Sequence, residues 1–222
     1  MNDRIKRLYE MFLRVIVFMT ANAADFQTVP FIAATVTTLQ TETDALANLG
    51  AEKVTTTAAS KDSFVFKGDA RTSLRDYLKY IAGIWRTVFD EVEGGENKFR
   101  LPPGNSDQTL IAAGKSFAAE AVGNEQIFFD HGVAADFIAQ MQSKTTAFEQ
   151  TINTADTAHG ERVGTNAAFT EPAQRGKKMV DKLAPAVKHQ YRNNPQKLAA
   201  WLVASHVERP SKTAKKDTPP TG

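Results

Sequence analysis

A chain of 222 residues, 42% hydrophobic and 23% charged with a formal net charge of +2, is long enough to bury a full core and has an ordinary soluble composition. Zero cysteines exclude disulfides, thiolate nucleophiles and every Cys-based zinc or iron–sulfur site. No window reaches the ~18 to 20 uninterrupted apolar residues that a bilayer span needs, so the chain is expected to be soluble or at most peripheral.

The first element holds two signals. RVIVFMTANAADF, residues 14–26, follows a basic start (Arg4, Lys6, Arg7) and ends in Ala21-Asn22-Ala23, the small-x-small pattern of a secretory cleavage site. Glu10 and Arg14 interrupt that apolar run, whereas Ile5, Leu8, Phe12, Val15 and Met19 recur at spacings of three and four and line one helical face. The expectation is a retained amphipathic helix in a cytoplasmic protein; export after cleavage near Ala23 is the alternative.

Pro30 opens a second helix, with Thr28 as a plausible cap, running to about Ser60. Its stripe of Ile32, Val36, Leu39, Leu46 and Leu49 is thin and fades into Val54-Thr55-Thr56-Thr57. Threonine is a mediocre helix former because its branched side chain restricts χ1, so packing rather than propensity must hold this helix. Ser63 to Lys67 is the one stretch tempting as a strand. From Phe64 onward Leu74, Leu78, Ile81, Trp85, Val88 and Val92 alternate spacings of four and three, the heptad period of a bundle seam, and Gly94-Gly95 ends that helix.

LPPGNSD, residues 101–107, reads as loop, with Ser106 or Asp107 capping a helix that carries Leu110, Gly114, Phe117 and Ala121 and stops at Gly123-Asn124. EQIFFDHG, residues 125–132, is too apolar for a solvated linker and is expected to plug the end of the bundle with Ile127, Phe128 and Phe129. Val133, Phe137, Met141, Phe148, Ile152 and Ala155 then mark a long helix reaching Phe169, broken or kinked at Glu171-Pro172. Met179, Val180, Leu183, Val187 and Tyr191 define the next, with a bend expected at Pro185. Asn193-Asn194-Pro195 precedes a short last helix holding Leu198, Trp201 and Leu202. Residues 209–222, PSKTAKKDTPPTG after Arg209, lack large apolar residues and are expected to form a disordered basic tail. The fold class that follows is all-α: an elongated antiparallel bundle of five to seven helices, one domain over residues 1–208, with no repeat at a fixed period.

Chemistry is sparse. Asp156-x-x-His159 is a single half of the paired motif that a di-iron bundle requires, and the helix face it occupies reads as solvated. His131, His189 and His206 lie in separate segments without zinc spacing, and Asp130-His131 has no nucleophile elbow beside it. Gly114-Lys115-Ser116 lacks the earlier glycine of a phosphate loop and sits inside a helical pattern. No catalytic residue, metal ligand or cofactor site is therefore assigned.

Charge is more informative. Residues 172–222 carry 11 of the 27 Lys+Arg against three acidic residues, a net of +8, which leaves −6 on residues 1–171. Arg175, Lys177, Lys178, Lys182, Lys188, Arg192 and Lys197 are candidate contacts for nucleic-acid phosphates or another anion, or else solvate an outer face or answer the acidic part of the same or a neighbouring subunit. Trp85, Phe128, Phe129 and His131 are a candidate aromatic pocket for a small ligand or an enzymatic site. The leading reading is a non-enzymatic interaction or structural protein without cofactor, partnering itself or another protein. Association with nucleic acid through the basic C-terminal region is one alternative, and a ligand-binding or enzymatic bundle the other.

MFLRVIVF followed by AADF, KFRLPPGNSDQTLIAAGKSF, the DHG to ADF stretch from Asp130 to Phe137, and KLAAWLVASHVER together resemble an uncharacterised family of bacterial helical proteins. The resemblance covers almost the whole chain to Arg209. It implies an all-helical fold and carries no activity, cofactor or catalytic residue; in similar sequences the segment matching residues 15–20 tolerates charge, which implies a retained helix.

Overall fold

The computed structural model describes residues 1–88, 97–104 and 106–208. Among them the chain is all-helical. The elements are α1 (Asp3–Ala21), a 3-10 turn (Ala23–Phe26), α2 (Pro30–Val88), α3 (Asp107–Ala121), α4 (Glu125–Asp130), α5 (Phe137–Ala168), α6 (Thr170–Gln190) and α7 (Pro195–Ala204). No helix among the described residues is long and apolar enough to cross a membrane. Val92, the Gly94-Gly95 stop and the tail at 209–222 lie outside the described residues.

The chain divides into two compact units, Met1–Val54 with Gly164–Gly222, and Thr55–Val163. In the first, α1 is a core helix. Asn2 caps it by accepting from the Ile5 amide at 2.9 Å, and Ile5, Leu8, Met11, Phe12, Val15, Phe18 and Met19 are buried along one face. Val180, Leu183 and Val187 of α6 and Trp201 of α7 belong to the same core. Gly176 permits the approach of α6 to α1, since a Cβ there would sit 2.5 Å from Phe12 Cε2. Of the apolar segment that resembled a leader, Val15, Phe18, Met19 and Phe26 are buried in this core, while Val17 is 69% exposed.

The second unit is built on Leu74, Leu78, Ile81 and Trp85 of α2, with Phe117 of α3, Phe128 of α4 and Phe137 and Met141 of α5. Gly114 has the same role here as Gly176 in the first unit: a Cβ on it would collide with the Thr145 hydroxyl.

Four local expectations are corrected. The two helices expected on either side of residues 60–64 are one helix, α2, and Ser63 to Lys67 is helical within it. No proline or paired glycine interrupts that stretch, and the threonine hydroxyls stay inside the helix: those of Thr35, Thr37, Thr38, Thr41 and Thr43 each donate to the carbonyl four residues back, at 2.7 to 3.1 Å. The 125–132 linker winds into α4, with Phe128 fully buried and Phe129 38% exposed, so one phenylalanine plugs the core rather than two. Helix α5 ends at Ala168 and α6 begins at Thr170, ahead of the expected break, because Pro172 has no N–H to offer the carbonyl four residues earlier. Leu202, expected in the core of α7, is 51% exposed while Trp201 beside it is buried.

Candidate interaction surfaces and an apolar cleft

In the second unit, the buried side of α2 at this level is small: Ser60 and Ser63 are 3% and 6% exposed. Phe64, Val65 and Phe66 follow at 48%, 60% and 63% exposed. Three consecutive helical residues point about 100° apart, so their joint exposure leaves more than half of the helix circumference open. Phe64 meets the His159 ring in a T-shaped contact, at a centroid separation of 6.2 Å. Lys61 and Asp69, each four residues from Val65, share its face and are exposed without an ion-pair partner among the described residues. Lys67, by contrast, pairs with Asp107 at 2.7 Å, and Arg71 joins the same carboxylate at 3.0 Å.

In the first unit, the turn between α1 and α2 encloses a cleft of about 370 Å³, lined by ten residues that include Met19, Phe26, Val29, Ile32 and Val36. One wall is the 3-10 turn, and Asp25 within it is clamped. The Tyr191 hydroxyl donates to Asp25 Oδ2 at 2.7 Å, the Lys197 ammonium pairs with the same oxygen, and Gln190 Nε2 donates to the Asp25 carbonyl at 3.0 Å. Lys197, and after it Tyr191, hold the Asp25 carboxyl below its usual range. Burial and the Asp25 carboxylate push the Tyr191 phenol up. Phe26 adds an edge-on contact with Tyr191 at 5.6 Å.

The seven basic candidates do not act alike. Arg175 donates to both oxygens of the buried Glu42, at 2.8 and 3.0 Å, and also pairs with Glu171. Lys177 pairs with Asp181 at 2.7 Å, and Lys197 with Asp25. Arg192 lies 3.1 Å from His189 Nε2. Lys178, Lys182 and Lys188 are exposed and form no ion pair among the described residues. Three of the seven charges are therefore answered inside the unit.

The aromatic candidates split as well. Trp85 and Phe128 are core residues, stacked at 5.8 Å and packed against Phe99 and Phe137. Phe129 turns outward and touches Phe137 edge-on at 6.1 Å, and the exposed His131 ring places Nδ1 2.8 Å from the Ile127 carbonyl oxygen. Asp156 and His159 are both exposed on α5, and among the described residues no group of three or more His, Cys, Asp or Glu is placed to hold a metal ion.

Sequence reasoning missed both the exposed run and the cleft. The signal for the first was three large apolar residues in a row, which no single helix face can bury. For the second it was Phe26 and Val29 on either side of a helix break. Comparison of the chain with protein-family models, curated proteins and solved structures returns no match.

Proposed function

We propose that this protein is a non-enzymatic helical interaction protein that associates with a second copy of itself through the outer face of α2 around Val65. The observation that carries the reading is the exposure of Phe64, Val65 and Phe66 together, with Val65 at the centre of the open face and the two rings flanking it, since large apolar side chains left exposed as a group mark interaction sites. Charge complementarity favours a second copy as the partner. Two α2 helices crossing antiparallel at Val65 bring Lys61 of each opposite Asp69 of the other, a self-complementary arrangement of the kind a two-fold interface requires. Gly68 beside them is exposed and has open space around it, so the helices meet no side chain there.

Sedimentation equilibrium tests this reading on the full chain. Wild type is expected to dimerise with rising micromolar concentration, and Asp69→Lys to dissociate the dimer by opposing like charges. The double variant Lys61→Asp with Asp69→Lys is expected to restore it. A strict monomer at high micromolar concentration overturns the proposal. Association with nucleic acid through Lys178, Lys182, Lys188 and Arg192 is the alternative, and its signature is an affinity that falls steeply with salt.

A further inference from the structure

We propose that the cleft between the end of α1, the 3-10 turn and the start of α2 is a binding site for a small, uncharged, mainly aliphatic molecule, such as a medium-chain alcohol or amide. Size separates this from a protein-docking surface. A volume of about 370 Å³ lies within the range of roughly 300 to 1,000 Å³ typical of ligand pockets. Ten lining residues fall well short of the roughly 20 to 30 per side of a standard protein interface.

The lining sets the ligand's chemistry. Met19, Phe26 and Ile32 form a buried apolar floor, and Val29 and Val36 extend it toward solvent. Met19 adds an adaptable surface, because an unbranched thioether side chain fits irregular shapes. Among the lining residues none is ionisable; the polar side chains are the exposed Thr20 and Gln27. A carboxylate or ammonium head group in the cleft would lose water without gaining a counter-charge, whereas a hydroxyl or amide finds a hydroxyl and a carboxamide at the mouth. The clamp on Asp25 is the second observation that marks a built site. It fixes the turn that supplies Ala23, Phe26 and Gln27 onto Gln190, Tyr191 and Lys197, so the wall stands in place before a ligand arrives.

Methyl NMR of full-length protein labelled at methionine, with Met19 assigned through Met19→Leu, tests the site using octanol and octanoate as probes. The expected result is a saturable shift of the Met19 methyl signal with octanol, and binding of octanoate at neutral pH weaker by about tenfold or more. Ala33→Trp fills the cleft from an exposed position of α2 and is expected to abolish the shift while helicity and Tm are retained. Ala23→Phe fills it from the 3-10 turn and repeats the test on a separate element. No saturable shift up to the solubility of octanol, equal affinity for octanoate, or undiminished binding in both filled variants overturns the proposal.

Discussion

The two cores hold their segments together in different ways. In the second unit, Trp85, Phe99, Phe117, Phe128 and Phe137 form a continuous ring cluster with centroids 4.8 to 5.8 Å apart. Phe99 even holds φ at +54°, a left-handed conformation costing about 1 to 2 kcal/mol for a residue with a Cβ, and stays there with its ring buried and its amide donating to Glu120 at 2.8 Å. The first unit buries as many aromatic residues, but its ring contacts centre on Phe18, Phe26, Tyr191 and Trp201, and it carries the polar ties that span the most sequence, among them Asp25 with Tyr191 and Lys197, Glu42 with Arg175, and Thr165 with Glu52 at 2.8 Å. Rings fill space in all directions. Polar ties fix single points, and the one at Asp25 holds the 3-10 turn that forms a wall of the apolar cleft.

The largest expected effect tests the ring cluster. Phe128→Ala removes the ring that touches Trp85, Phe99 and Phe137, and is expected to destabilise by about 3 to 5 kcal/mol. The chain's two tryptophans report the two units, Trp85 the second and Trp201 the first. In denaturant titrations of Trp85→Phe and Trp201→Phe backgrounds, the transition seen by Trp85 should move and that seen by Trp201 should stay. Equal shifts would mean that the two cores unfold as one and would remove the contrast.

Next come the two glycines at helix contacts. Gly176→Ala and Gly114→Ala each force a methyl into occupied space, and overpacking of this kind costs about 1 to 3 kcal/mol. The contrast between the regions predicts the order. Gly176 faces the Phe12 ring, which is fully buried and cannot swing aside, while Gly114 faces a Thr145 side chain whose hydroxyl is bound to the Met141 carbonyl at 2.8 Å. Giving up one hydrogen bond is easier than moving a core ring, so thermal denaturation should show the larger loss for Gly176→Ala.

A smaller effect, confined to acid, isolates the clamp. The Asp25 carboxyl is held below its unfolded value, so its stabilisation is fully present above about pH 4 and is lost as pH falls through the lower folded value. Asp25→Asn should lower Tm at pH 6 and flatten its acid limb relative to wild type, so that the two curves converge as pH falls through the lowered folded value. Parallel curves across that range would show that the carboxylate contributes shape and not charge.

These contrasts mark where the sequence could be read. The face of α1 was legible because its charges are spaced as regularly as its apolar residues, and Ile5, Leu8, Phe12, Val15 and Met19 are all buried. The seam from Leu74 to Val88 was legible for the same reason. The continuity of α2 was not, since its threonines satisfy their hydroxyls on their own helix and so give no outward sign of order. The surfaces were harder still. The sequence allowed the basic residues to answer acidic ones elsewhere in the chain, but the pairings of Arg175 with Glu42 and of Lys197 with Asp25 span 133 and 172 residues. No local pattern announces a partner at that distance, and a cleft assembled from three short elements has no periodicity to detect.

The smallest effect is the one in which the two units should agree. Gly83 in the second unit and Gly164 in the first are exposed within helices, and a Cβ at either meets nothing within 4 Å. Alanine there restricts the unfolded chain and adds no contact, so each substitution should stabilise by about 0.5 to 1 kcal/mol. Equal gains in urea denaturation would place the difference between the units in their cores and clamps, since the exposed helical backbone would then behave alike in both. A gain at Gly83 with a loss at Gly164 would instead mean that α5 near its C-terminal end needs the freedom glycine gives, and the polar ties of the first unit would then be holding a strained helix rather than a relaxed one.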